Sequence, residues 1–549
     1  MFMVSTIKNL FLVNAINKLI YSYLVKYPTP ININYLWNFG FMSAIFLIIQ
    51  ILSGLFLTFF FTPHVDLAFF SIEHIMRDVN YGWLIRYVHA NGASFFFFLV
   101  YIHILKGIYY GSYYFPRTLV WFTGSIIYIL MMGTAFLGHV LPWGQMSYWA
   151  ATVITNFVTV IPVVGKDIVY WIWGGYSINN ATLNRFFSLH YLLPFVIAVL
   201  SIYHIYQLHK SGSSNELGIK SHYLNKISFY PYFITKDFFG LFIILFFFFI
   251  FVFFYPEAFN HSDNYIKANP LVTPAHIVPE WYFLPLYGIL RSILNKTYGI
   301  IIMFVSLLVL FLLPFIDKSI IKNKTFKPFS RFLFWFFAFN FLFLGYLGSQ
   351  TPVYPYIELG LTCSHFHLFY FFLFIPISVF FETFFFFGFF STGNTVNNNS
   401  NSLFENNRDY KKNMRRRFFI YYVLLFFLIF FCLYYIKHAA EMQYIAEIAE
   451  RIIFYKYEMG VREIKEKEVF ILFFENELAD FEKLKEDLIN ILEIEKYLTI
   501  KGFFSFIYYT AITKTVSFLG LLLGLVLSLS YIAEEDEKDN IRRKNRITR

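Results

Sequence analysis

Apolar stretches of about 18 residues or more, the length that marks a transmembrane helix, recur along the chain and are separated by segments that hold most of its charge. Eight precede residue 390, at roughly 37–61, 83–110, 118–140, 186–208, 238–255, 298–315, 331–347 and 366–390. Runs such as LFIILFFFFIFVFFY, from Leu241 to Tyr255, leave no broad polar face for water, so lipid has to cover them. The pattern predicts an all-α polytopic membrane protein.

Beyond residue 390 the pattern changes. STGNTVNNNSNSLFENN (Ser391 to Asn407) is an Asn/Ser linker, and KKNMRRR (Lys411 to Arg417) is a basic stop before a further span. Two more spans are predicted at about 418–436 and 503–532, flanking a charged, helix-like stretch at 437–502 with 15 acidic and 10 basic residues. The expected organisation is therefore a four-helix bundle in 1–225, four further transmembrane helices in 226–390, a linker in 391–417 and an extension in 418–549.

Composition agrees with the spans: 58% of residues are hydrophobic and 14% charged, against about 25% charged in soluble domains. The net charge of +10 raises nucleic acid as a partner, but the basic residues lie in short loops, where they orient the spans instead. Lys8, Lys18, Lys26, Lys106, Arg117, Lys210, Lys220, Lys226, Lys236, Lys318, Lys322, Lys324, Lys327 and Arg331 fall on one side, 14 in all. The other side has 7: Arg77, Arg86, Lys166, Arg185, Lys267, Arg291 and Lys296. The N-terminus is thus expected on the negative side of the membrane, and with ten spans the C-terminus joins it. Only two cysteines occur, Cys363 and Cys432, so no disulfide framework, CxxCH haem attachment or cysteine-ligated iron–sulfur cluster is available. Any such centre would belong to a partner.

The candidate chemistry lies in histidines and glycines. His89 and His103 on the second span are 14 residues apart, as are His190 and His204 on the fourth. Fourteen helical residues turn about 40° short of four full turns and rise about 21 Å, so both rings of a pair look out from one face at two depths. The first and third spans carry Gly40 and Gly54, and Gly124 and Gly138, at the same interval. A flat macrocycle between four helices needs two opposed imidazoles as axial ligands and missing side chains on the other two helices. Because alternate spans run parallel, His89 pairs with His190 near the positive side and His103 with His204 near the negative side. The reading is two stacked, non-covalent b-type haems with phenylalanine as the dielectric between them. Arg86 and Lys106, each one turn outside a ligand, are placed to pair with haem propionates.

The sequence resembles mitochondrial cytochrome b, the dihaem subunit of quinol:cytochrome c oxidoreductase (respiratory complex III). The matching words are WNFG (Trp37 to Gly40), RDVNYGWLIRYVHANGAS (Arg77 to Ser94), LPWGQMSYWAATVIT (Leu141 to Thr155), WIWGGYSINNATLNRFFSLHYLLPF (Trp171 to Phe195) and PEWYFLP (Pro279 to Pro285). The plastid relative resembles a split version with wider histidine spacing and an early haem-bonding cysteine; this chain has no cysteine before Cys363.

The resemblance implies oxidation of ubiquinol near the positive side. One electron goes to a Rieske-type iron–sulfur subunit and onward to a membrane-bound c-type cytochrome; the other crosses through both haems to reduce quinone near the negative side, with proton translocation. It implies a homodimer with other complex III subunits in the mitochondrial inner membrane, among its lipids and with the N-terminus in the matrix. The first arginine being Arg77, together with abundant Phe, Tyr, Ile, Asn and Lys, adds the expectation of organellar coding. For quinol oxidation the resemblance points to Glu280 as proton acceptor, with Pro279, Trp281, Tyr282 and Ala150 at the site and short interfacial helices between Met146 and Gly174 roofing it. For quinone reduction it points to His209, Ser213 and Asp237, with Lys236 as a route to water.

Three positions depart from the family pattern. Ala150 stands where glycine is usual, which predicts weakened inhibition by bulky methoxyacrylate-type compounds. His139 replaces the usual tyrosine and brings a titratable group near the outer haem. Lys106 replaces the commoner arginine, keeping charge but losing the bidentate fork. The segment past residue 390 has no recognised counterpart and is expected to dock neighbouring subunits or a larger respiratory assembly. A polytopic transporter would show polar residues or broken helices along a path, and a non-redox scaffold has no use for imidazoles at matched depths.

Overall fold

The computed structural model describes residues 17–18 and 21–382; the predicted linker at 391–417 and extension at 418–549 lie outside the described residues. The described part is almost entirely helical, its only sheet being two three-residue strands, β1 (Pro28–Pro30) and β2 (Lys226–Ser228), paired antiparallel with Thr29 opposite Ile227.

The helices are α1 (Phe39–Thr58), α2 (Ala68–Arg77), α3 (Gly82–Tyr109), α4 (Thr118–Val140), α5 (Gln145–Thr155), α6 (Gly165–Trp173), α7 (Asn180–Ser211), α8 (Tyr232–Phe254), α9 (Leu284–Ser292), α10 (Lys296–Ile316), α11 (Pro328–Ser349) and α12 (Tyr356–Phe369). Eight helical stretches among the described residues are long and apolar enough to cross a membrane: Tyr35–Thr58, α3, α4, α7, α8, α10, α11 and Tyr356–Glu382. The eighth starts ten residues before the expected 366. Its first turn holds Glu358, a charge that the helix N-terminus tolerates. Its polar Ser364 is buried but bonded to the Ser292 hydroxyl on α9 at 3.0 Å, which is how a membrane bundle accommodates such residues.

α1 packs along α3 and α4 along α7, so the first four spanning helices form two close pairs. Between them lies a layer of Leu47, Phe96, Met131 and Ile197, one residue from each helix and all buried. The helices α9 to α12 pack as a second group, with α9 against α10, α11 and α12.

Two connections matter for function. The turn before α5 is joined to the segment after α8: Gln145 N–H donates to the Ile266 carbonyl (2.8 Å), Asn269 N–H donates to Gln145 Oε1 (2.7 Å), and Gly144 bridges Lys267. The loops following α3 and α10 are tied by a buried charge. Asp317 accepts from the Tyr113 hydroxyl (2.5 Å) and from Ser319 N–H and Oγ, with Lys324 Nζ at 3.5 Å.

Candidate haem and quinone sites

The histidine rings meet across the gap between the two helix pairs. His89 on α3 faces His190 on α7 with ring centres 6.3 Å apart, and His103 faces His204 at 6.4 Å. A metal on the line between two imidazole nitrogens, with bonds of about 2.0 Å and about 1.15 Å from nitrogen to ring centre, would set the centres about 6.3 Å apart. Both pairs therefore fit one axially bound metal ion each. Among the described residues no group of three or more His, Cys, Asp or Glu side chains could hold a metal; an ion between two imidazoles would take its other ligands from a bound group, as from a porphyrin.

Each glycine of the repeat faces one of these rings. A Cβ on Gly40 would lie 3.1 Å from His103 Cε1, on Gly54 3.0 Å from His89, and on Gly124 3.1 Å from His204; on Gly138 it would overlap His190. The missing side chains make room for the imidazoles themselves, a closer role than clearing the macrocycle edge. The alternation of glycine and histidine helices follows directly, because α1 backs the histidines of α3 and α4 those of α7.

The second ring nitrogen of three histidines is held. Ser53 Oγ lies 2.9 Å from His89 Nδ1 and Thr123 Oγ1 3.0 Å from His204 Nδ1, while the Thr134 carbonyl lies 2.8 Å from His190 Nδ1. Both hydroxyls also donate to helix carbonyls, Ser53 to Ile49 (2.6 Å) and Thr123 to Leu119 (3.0 Å). They can thus accept Nδ1–H and leave Nε2 as the free ligand nitrogen. His103 Nδ1 has no such partner. The sequence reading missed Ser53, Thr123 and Thr134; a hydroxyl residue just before Gly54 and before Gly124 was the available signal.

One cavity joins the outer pair to the loop after α8. It is lined by His89, His190, Gly138 and Arg86, and also by His139, Glu280 and Tyr282. Arg86 is thus beside the outer histidines, as a propionate partner would be. Glu280 Oε1 lies 2.9 Å from His139 Nδ1, both side chains being largely buried. Tyr282 stacks on Phe97 with ring centres 4.0 Å apart, and its carbonyl accepts from Tyr101. Burial and the nearby Glu280 hold the Tyr282 hydroxyl protonated, well above the usual tyrosine range. Pro279 and Trp281, which flank Glu280, are not among the lining residues; Trp281 Nε1 donates to Ser94 Oγ at 3.0 Å. Ala150 is buried on α5, whose Ser147 reaches the wall instead.

At the other end Lys106 lies over the Trp37 ring, 4.3 Å from its centre. The N-terminal segment, absent from the sequence-based site, reaches two of its predicted members. Tyr23 and Tyr27 stack on His209 at 5.0 and 4.1 Å, and the Tyr27 side chain lies near Ser213, its buried hydroxyl without a hydrogen-bond partner among the described residues. Burial raises the Tyr27 pKa, so the phenol keeps its proton. Lys236 Nζ donates to the Ile33 carbonyl (2.6 Å) and lies over Tyr35, while Asp237 is buried on α8.

Comparison with known proteins identifies the family. Residues 24–212 match the family model described as cytochrome b/b6/petB, and residues 267–371 match the C-terminal cytochrome b/b6/petD family. The chain belongs to the cytochrome b family. It is 54% identical to cytochrome b of Chondrus crispus over 67% of this chain and 96% of that one, and 56% identical to cytochrome b of Phytophthora megasperma over 62% and 88%. Its fold is similar to a chain of a structure titled "Hyperthermophilic respiratory Complex III", with a TM-score of 0.64 and 36% identity, covering 67% of this chain and 97% of that one. Membership in the cytochrome b family implies b-type haem, and the two facing imidazole pairs are the residues that fit it.

Proposed function

We propose that this cytochrome b chain is the dihaem catalytic subunit of a mitochondrial complex III. It oxidises ubiquinol at one face of the inner membrane and returns one electron of each pair to quinone at the other. The observation that carries the proposal is the doubled imidazole pair, each pair at a spacing that would accommodate one metal ion, with the outer pair sharing a cavity with Glu280 and Tyr282. Bound haem would supply a one-electron carrier at each of two depths.

The protein's part is positioning and proton handling. His89 with His190 and His103 with His204 would hold the carriers, and Leu47, Phe96, Met131 and Ile197 fill the space between them with apolar side chains. Glu280 would take a proton from quinol, and Tyr282 shapes the wall beside it. Near the negative side His209, Ser213 and Asp237 would bond the quinone oxygens and deliver protons, with Lys236 as a route to water. Arg86 and Lys106 would pair with propionates.

The partners and orientation are those that the family resemblance and the loop charges imply. They are a Rieske-type iron–sulfur subunit, a c-type cytochrome, further complex III subunits and a second copy of this chain, in a lipid bilayer with the N-terminus in the matrix. Organellar coding accords with the composition. Residues 391–549 would contact neighbouring subunits or a respiratory supercomplex; truncation after residue 390 would keep the haem spectra and reduce the size of the assembly.

The test is turnover by the purified assembly in liposomes. Quinol-dependent reduction of a c-type cytochrome with proton release to one side supports the proposal. Intact assembly without such turnover would favour a transporter or scaffold.

A further inference from the structure

Resting on the quinol-oxidation site proposed above, we infer that His139 and Glu280 form one proton-accepting unit, in which the imidazole shares and stores the proton that the carboxylate receives. Glu280 Oε1 and His139 Nδ1 are 2.9 Å apart although they come from α4 and from the loop before α9. Their side chains are only 17% and 14% exposed, so water competes weakly for the contact. Both line the cavity that also reaches the outer histidine pair.

The bonding pattern assigns the roles. A carboxylate can only accept, so with Glu280 ionised His139 Nδ1 carries the hydrogen. Nε2 is then the basic nitrogen, and it is buried without a hydrogen-bond partner. The unit can therefore take one proton, its charge rising from −1 to 0. A substrate O–H breaks, and one O–H or N–H forms within the pair. The two substrate electrons leave singly to one-electron acceptors, an iron–sulfur centre and a haem, and the second proton leaves towards the iron–sulfur partner.

Imidazole suits this task because its charge change falls near neutral pH, whereas a lone solvated carboxylate is deprotonated there. The other charged or titratable groups lining the cavity are Glu73 on α2, Arg86 and Tyr87 on α3, Glu257, Tyr265 and Tyr282 from the segment between α8 and α9, and the facing His89 and His190. Glu257 is engaged by Tyr265 and Asn260. Within the cavity, Glu280 is thus the carboxylate with an imidazole at hydrogen-bond distance.

The experiment compares the purified assembly carrying wild type, His139→Asn, Glu280→Gln or both, with b-haem spectra checking integrity. His139→Asn keeps an N–H donor but cannot be protonated. We expect about tenfold slower quinol oxidation, less than the roughly 10²–10⁴-fold lost with a whole general base, because Glu280 remains to accept the proton. The acid limb of its pH–rate profile should move down by a unit or more, and the redox-induced infrared band of the Glu280 carboxyl should shift. The double variant should be no slower than the worse single one, as for residues acting together. His139→Gln serves the same comparison where the Asn variant loses haem. An unchanged rate, profile and carboxyl band in a haem-replete His139 variant would overturn the inference while leaving the quinol-oxidising function intact. Absence of quinol oxidation by the haem-replete wild type would overturn both.

Discussion

Gly138 sits so close to His190 that a methyl group on its α-carbon would overlap the imidazole. The other three glycines leave 3.0 to 3.1 Å between such a methyl and the ring they face, a gap that a shift of a few tenths of an ångström could relieve. Gly138→Ala is therefore expected to displace His190 and remove the outer haem, while Gly40→Ala, Gly54→Ala and Gly124→Ala keep both haems with shifted potentials. Overpacking of this kind costs about 1–3 kcal/mol. Reduced-minus-oxidised spectra of the four variants test the order; equal loss in all four would contradict it.

The hydroxyls of Ser53 and Thr123 fix the imidazoles of His89 and His204 through Nδ1. Removing an orienting partner of a metal-ligating histidine typically weakens the site about 10–100-fold. Ser53→Ala should loosen haem at the outer pair and Thr123→Val at the inner pair, each leaving the other unaffected. Haem content after graded detergent washing would show it, and identical retention in both variants and wild type would count against an Nδ1–H tautomer at His89 and His204.

Asp317 predicts a pH effect on stability. Burial alone would raise its carboxyl, but Lys324 and Lys327 and the Tyr113 hydroxyl outweigh burial and hold it well below the usual carboxylate range. A lowered native pKa means that the contribution is complete above the unfolded value of about 4 and is lost as pH falls through the native one. Asp317→Asn leaves Lys324 buried without its counter-charge, and breaking a buried pair in this way costs about 3–5 kcal/mol. Thermal unfolding of variant and wild type, followed from pH 7 downwards, should show a large gap at neutral pH that narrows only in strong acid.

Ala150 adds one methyl to a buried position on α5, one turn from the cavity-lining Ser147. Ala150→Gly is expected to raise the potency of methoxyacrylate-type inhibitors about tenfold or more while leaving quinol turnover nearly unchanged. Equal potency in both proteins would show that the methyl is not what limits inhibitor fit.

Much of this arrangement was legible because helix geometry converts sequence interval into depth. Residues 14 apart on an apolar helix return to nearly one face, so the two histidine pairs and four glycines could be set at two levels without coordinates. The same arithmetic explains why Leu47, Phe96, Met131 and Ile197, each seven residues from its flanking repeat members, share one layer. What escaped sequence reading depends on long-range packing or on chemistry outside the spans. The meeting of His139 with Glu280 requires the loop after α8 to fold back over α4 and α5. Tyr27 reaches His209 and Ser213 because β1 pairs with β2, and no periodicity announces a three-residue strand. The early start of the eighth span was hidden by Glu358 and Ser364, polar residues that a hydropathy reading places outside the bilayer.

The most direct test is a density map of the purified assembly around the four imidazoles. Planar density centred on iron between His89 and His190, and again between His103 and His204, is the predicted result. Density that joins any of these rings to a partner other than iron, or lipid filling the gap between the helix pairs, would contradict the dihaem electron path.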